Sequence, residues 1–416
     1  MTKKAIALSL LAAAVATAAY ADDDGFNAGS IPRLNHVFLI MMEKHGYGQI
    51  LNNPNAPFIN QMAKSANSAT NYFAIGHPSL TNYLEVVGGS NFGVQTDNYP
   101  DWHSMSCTTN LVSKTPATDN PASPNICPIW GFGTDAATPA LDLTNETQGP
   151  PGEVNIDGVQ SFPAAQTAGE TIADQLVAIG RSWKSYQESL PPGGANLVNY
   201  SDGFFTNNTD FSTILPALNP PLSQSDVVAL YAAKHNPFVY FRRVQEGHDP
   251  RNSLNNSVDF ESPNGLFADL SSGNAPDFSF IAPNQCNDQH GRGNGGAFCN
   301  FDPTDNGTQA GLNPALILRG DVTVQRIVSA IKSSDTWRHG NNAIVVVWDE
   351  NDYSLKPNTN QVMLIVDTSY GVHGVQSTRR YTHFSLLKSI EAGFGLPCLN
   401  HACDAGAAVM SDLFHR

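Results

Sequence analysis

The chain has 416 residues and a formal net charge of −15, with only 14 % charged residues. That balance argues against a nucleic-acid partner, which needs basic patches, and against the surface of anionic membranes. Abundant Gly, Pro, Asn, Ser and Thr suit a loop-rich extracellular fold rather than a helical bundle.

Taken in chain order, the first stretch is MTKKAIALSLLAAAVATAAYA. Lys3 and Lys4 precede an apolar run from Ala5 to Ala19, and Ala19 and Ala21 are small. This reads as a signal peptide cut near Ala21, too short for a membrane span and without a stop-transfer pattern. Residues 22–416 are expected to form one domain. HVFLIMM (36–42) reads as a strand and FINQMAKSA (58–66) as a helix. In HPSLTNYLEVVGG (77–89), Ser79 sits on a polar turn before an apolar helical run. Taken alone, that serine is a turn or capping residue. From about residue 91 to 162 the chain is dense in Pro, Thr, Asn and Gly, lacks periodicity and carries Trp102 and Trp130. We read it as an insertion near the site. ETIADQLVAIGRSWKSYQ (170–187) and SDVVALYAAKH (225–235) then predict helices, and FVYF (238–241) and FSFIAP (278–283) predict strands. The pattern closes with a helix at 320–334, strands at 343–348 and 362–367, and a helix at 383–395. Unbroken apolar strands alternating with helices predict an α/β fold with a doubly wound, mostly parallel sheet sandwiched between helices.

Six cysteines form three sequence-close pairs, Cys107 with Cys127, Cys286 with Cys299 and Cys398 with Cys403. In an exported chain these suggest local disulfides, although other connectivities stay open. No CxxC is present, so a zinc cluster is the weaker reading.

In such a sheet, ligands bind beyond the carboxyl ends of the strands. Glu43 directly follows HVFLIMM, Asp349 and Glu350 directly follow AIVVVW, and Asp288 and His290 lie just beyond FSFIAPN. Ser79 and His383 open predicted helices. Each alone is an ordinary loop or capping residue; together they deliver metal-type and nucleophile-type side chains to one rim. Glu43, Asp349 and Glu350 supply hard oxygen, while Asp288, His290 and His383 supply the mixture of oxygen and nitrogen that borderline metals accept.

These motifs, HVFLIMMEKHGYGQI, HPSLTNYLEVVGG, PNQCNDQHG, VVVWDEND and THFSLLKSIEAGFGLPCL, stand in the order found in a known family. From about residue 36 to 398 the chain resembles the secreted phosphoesterases that include acid phosphatases and bacterial phospholipases C, within the alkaline phosphatase superfamily. The resemblance implies that Ser79 is the nucleophile and that Asn82 holds a phosphoryl oxygen. It implies that Glu43, Asp349 and Glu350 bind the metal that touches Ser79. Asp288, His290 and His383 match a second cluster, which in some relatives binds another metal and in others only contacts phosphate. His290 or His383 can then protonate the leaving oxygen. The family usually has Asn where this chain has Lys44, so Lys44 either contacts phosphate or lowers metal affinity. One or two divalent ions are implied; Zn, Ca, Mg and Mn all remain open. The expected activity is phosphomonoester hydrolysis through a phosphoseryl intermediate, after export. The alternatives are a phospholipase C acting on phospholipid head groups and a non-catalytic phosphate- or metal-binding protein with a degenerate site.

Overall fold

The computed structural model describes residues 31–92, 170–190, 230–291, 299–304, 306–351 and 359–415. The expected signal peptide, nearly all of the expected insertion, Trp102, Trp130 and the Cys107–Cys127 pair lie outside the described residues.

Ten strands are described: β1 (His36–Met42), β2 (Asn67–Ala69), β3 (Tyr72–Phe73), β4 (Trp183–Gln187), β5 (Ser257–Val258), β6 (Phe278–Ala282), β7 (Asn342–Trp348), β8 (Leu364–Thr368), β9 (Gln376–Ser377) and β10 (Tyr381–Thr382). The α-helices are α1 (Tyr47–Ile50), α2 (Pro57–Ser65), α3 (Ser79–Gly88), α4 (Ile172–Ala178), α5 (Arg242–Glu246), α6 (Leu266–Ser272), α7 (Pro314–Ser333), α8 (Asp335–Arg338) and α9 (His383–Phe394). Eight strands form one sheet in the order β5-β4-β6-β1-β7-β8-β2-β9. From β5 through β7 every neighbouring pair is parallel; β8 runs antiparallel to both β7 and β2. The expected mostly parallel α/β sheet is therefore present. Its central strands are apolar at nearly every position because both faces are covered, and β7 is buried along its whole length. One group of packed helices is α2, α6, α7 and α8; another is α3, α4 and α9.

Parallel strands put all their carboxyl ends on one rim. On the opposite, amino-end rim the strand entries are tied together. The Asn35 N–H donates to Asn341 O at 2.7 Å, and Arg181 pairs with Asp277 at 2.6 Å.

Three expectations fail locally. The helix predicted over 170–187 stops at Ala178, because Gly180 takes φ +76° and the Gly180 and Arg181 N–H groups close onto Val177 O and Leu176 O. That is a Schellman stop, and the chain re-enters the sheet as β4. FVYF is not a strand: Pro237, which lacks an N–H for a ladder, opens a 3-10 turn over Pro237–Tyr240. The run is apolar because it packs onto the sheet, with the Phe238 ring 4.4 Å from Trp183. The helix expected to end at His235 is, in its described part, a 3-10 turn, Ala233–His235.

Candidate active site

Met42 lies opposite Trp348 in the β1–β7 ladder, so Glu43 and Asp349 leave the sheet side by side. Backbone bonds continue that pairing past the strand ends. The Asp349 N–H donates to Met42 O and the Glu43 N–H to Asp288 O, both at 2.9 Å. Lys44 adopts φ +61°, a left-handed conformation, and its N–H donates to Asp349 Oδ1 at 3.0 Å.

α3 brings the next layer. Ser79 is its first residue, and its hydroxyl donates to Glu43 Oε2 at 3.1 Å. One turn on, the Tyr83 hydroxyl donates to Glu43 Oε1 at 2.6 Å. Asn82 Nδ2 donates to Glu350 Oε2 at 3.2 Å, and its Oδ1 accepts the N–H groups of Ile75 and Gly76. The same Glu350 oxygen meets His77 Nδ1 at 2.7 Å. In this geometry Asn82 fixes the turn before α3 and orients Glu350.

Asp288 and His290 follow β6 in a segment that the Cys286–Cys299 disulfide closes. The second described disulfide is Cys398–Cys403. Asp288 Oδ1 accepts the His290 N–H at 2.7 Å. Its Oδ2 lies 3.2 Å from His235 Nδ1, and His235 Nε2 lies 3.1 Å from Glu43 Oε1. Glu43, His235 and Asp288 offer ligand atoms that all fall within 4.8 Å of one another.

His383 opens α9. Its Nε2 donates to the Asp349 carbonyl oxygen at 2.6 Å, and its Nδ1 accepts from the Tyr72 hydroxyl at 2.8 Å. Burial holds its pKa down to about 4, so the ring is neutral at ordinary pH. The six residues expected to hold metal thus sort differently from their sequence grouping. Asp288 joins Glu43 through His235, and His383 joins Asp349 through the backbone.

None of Glu43, Ser79, Asp288, His290, Asp349, Glu350 or His383 is more than 4 % exposed, so these groups lie out of bulk water. Burial, then the charges of Asp349 and Asp288, push the Glu43 pKa well up, with Lys234 and the Tyr83 hydroxyl offsetting part of it. Burial likewise raises Asp288, and it takes Asp349 to about 7 despite the Lys44 N–H and the Ser79 hydroxyl. No hydrogen bond of normal geometry reaches Asp349 Oδ2. Massed buried carboxylates with an oxygen left over fit a divalent cation, which would settle their charge. Hard oxygen from Glu43, Asp349, Glu350 and Ser79, with nitrogen available from His235, makes a consistent donor set.

Sequence reasoning missed His235, Lys234, Tyr83 and His77. Lys234 and His235 form a polar pair directly ahead of Asn-Pro, where no helix continues, and that was the available signal. Tyr83 shows only the apolar helical spacing of a core aromatic.

Comparison with known proteins agrees with the motif order. Residues 34–298 match the model of the Phosphoesterase family. A phosphatidylinositol-3-phosphatase of Mycobacterium tuberculosis is 24 % identical over 384 residues, covering 92 % of this chain and 84 % of its own length. An acid phosphatase of Aspergillus fumigatus is 22 % identical over 377 residues and 90 % of this chain, which spans only 58 % of that protein. Among solved structures, an alkaline phosphatase superfamily protein from Vibrio parahaemolyticus aligns with a TM-score of 0.43 at 10 % identity, over 91 % of this chain and 70 % of its own. With well over half its length matched by the family model, the chain belongs to the Phosphoesterase family, and its reaction class is the hydrolysis of phosphoric esters.

Proposed function

We propose that the protein is an exported, metal-dependent phosphomonoesterase that uses Ser79 as its nucleophile. The observation that carries this reading is the Ser79 hydroxyl, placed at the start of a ten-residue helix and donating to Glu43 within a nest of buried carboxylates. The helix N-terminus favours an anion at that point. Glu43, Asp349, Glu350 and Ser79 would hold a divalent cation there, and the chemistry it would supply is a lowered pKa for the serine hydroxyl and neutralised charge on the phosphoryl oxygens.

The chain's own groups account for the rest. Ser79 Oγ attacks phosphorus in line, the Oγ–P bond forms and the bond to the leaving oxygen breaks. The Ser79 proton already points at Glu43 Oε2. The leaving oxygen takes its proton from water, because His290 directs its ring proton to the Gly291 carbonyl and His383 directs its own to the Asp349 carbonyl. Water then attacks phosphorus, inorganic phosphate departs and Ser79 regains its proton. His383, with both nitrogens engaged, acts by holding the Asp349 backbone. Two disulfides among the described residues favour an oxidising compartment. No helix of the described residues is long and apolar enough to cross a membrane. The relatives compared above carry phosphatase names, which favours monoesters over the diesters of a phospholipase C.

An aryl phosphate assay tests this, run before and after chelation and against phosphatidylcholine as a diester. Turnover of the monoester should vanish with chelation and return with a divalent ion. Ser79→Ala should stay folded and lose about a thousandfold or more in kcat, as when a covalent route is deleted. Acid quench should trap phosphoserine on the peptide spanning residues 77–83. Near wild-type turnover in Ser79→Ala would overturn the assignment, and no turnover with any ion would favour the binding-protein reading.

A further inference from the structure

The three carboxylates Glu43, Asp288 and Asp349 share their burial with one lysine. Lys234, in the turn just before His235, is only 1 % exposed. A lysine this deep is kept by anions around it. Its charge bears on all three carboxylates.

Its hydrogen-bond geometry is specific. Lys234 Nζ lies 3.4 Å from His290 Nε2. On the other side of that ring, Nδ1 faces the Gly291 carbonyl oxygen at 2.8 Å. A carbonyl only accepts, so the ring proton sits on Nδ1 and Nε2 is the acceptor for the ammonium. A nitrogen whose lone pair receives an ammonium hydrogen bond is not at the same time a metal ligand.

We propose that the Lys234 ammonium stands in the place of a second metal ion, so that the site takes one divalent cation and His290 serves the lysine rather than a metal. The inference rests on the metal-dependent reading above and deepens it. It gives the site a positive charge that cannot dissociate, on the Asp288 side, while the exchangeable ion sits on the Ser79 side.

Metal content decides it. After equilibration with excess Mn²⁺ or Zn²⁺ and desalting, elemental analysis should find one ion per wild-type chain. Lys234→Met, which removes the charge and frees His290 Nε2 beside Asp288 and His235, should take up a second. Lys234→Arg, which keeps the charge, should stay at one. Thermal melts report whether each variant is folded. Should Lys234→Met fail to fold, His290→Gln gives an independent reading: its Mn²⁺ Kd by calorimetry should match wild type. Two ions in wild type, one ion in a folded Lys234→Met, or weakened Mn²⁺ binding in His290→Gln would each overturn the inference. In the first two cases chelator-sensitive turnover would survive, leaving the proposed function standing. A wild-type chain that binds no ion would instead overturn the metal-dependent reading, and this inference with it.

Discussion

Glu43 is held from three sides: the Ser79 hydroxyl on Oε2, and the Tyr83 hydroxyl and His235 Nε2 on Oε1. Tyr83 is the most instructive of these. Its ring stacks on His235 with centroids 5.2 Å apart and an interplanar angle of 10°. Burial, with the nearby Glu43 charge, drives its phenol pKa far up, so the hydroxyl remains a donor at any working pH. Tyr83→Phe keeps the stack and deletes only the donor. Metal affinity should fall by roughly 10- to 100-fold, as for other groups that orient a ligand, with a stability change of about 1 kcal/mol. Calorimetric Mn²⁺ titration of the folded variant checks this; an unchanged Kd would show that the hydroxyl does not tune Glu43. Glu43 and Asp349 were legible in the sequence because each directly follows an apolar run whose end fixes its position. Tyr83 and His235 were not, since one has the spacing of packing and the other sits in a turn that periodicity misassigned.

At the scale of elements, α3 must be fixed at both ends for Ser79 to stay in place. Its far end closes on Gly89, at φ +70°, whose N–H donates to Glu85 O at 2.8 Å. Gly89 O in turn accepts the His401 N–H at 2.9 Å, within the loop that the Cys398–Cys403 disulfide closes. A Cβ on Gly89 would stand 2.3 Å from the Leu399 carbonyl oxygen. Gly89→Ala therefore meets both a left-handed backbone and a backbone collision. It should cost about 1–3 kcal/mol and lower kcat by shifting the helix that carries Ser79. Thermal melts and aryl phosphate kinetics on one preparation check this, and an unchanged melting temperature would mean that α3 is not anchored there. The twin glycines after LEVV showed this stop in the sequence. β4 was hidden because Trp183–Gln187 extends the apolar spacing of the helix before it, and only Gly180 marks the break.

Across the whole molecule, the carboxylates near the rim are not the only buried acids. Glu391, in α9, is 1 % exposed, and neither of its carboxyl oxygens makes a hydrogen bond of normal geometry. Burial raises its pKa well above the usual carboxylate range; the Leu399 amide and the Lys388 charge offset this in part. A raised folded-state pKa means that its contribution to stability is fully present below the unfolded value of about 4.3 and is lost as pH rises through the folded value. Glu391→Gln removes that loss. The variant should melt with wild type near pH 4 and increasingly above it toward pH 8; a constant difference across that range would show that Glu391 does not titrate with folding. The sheet itself was the most legible feature. β1, β6 and β7 are apolar at nearly every position, a composition that suits strands covered on both faces. The antiparallel turn of β8 was not legible, because strand direction leaves no mark on composition.

The two rims of that sheet also differ as places of attachment. The carboxyl rim carries Glu43, Asp349 and the start of α3, while the amino rim carries the exposed turn before β7, where Arg338, His339 and Gly340 face solvent. A support coupled through that turn would hold the carboxyl rim, with Ser79 and Glu43, away from its surface without any change to those residues.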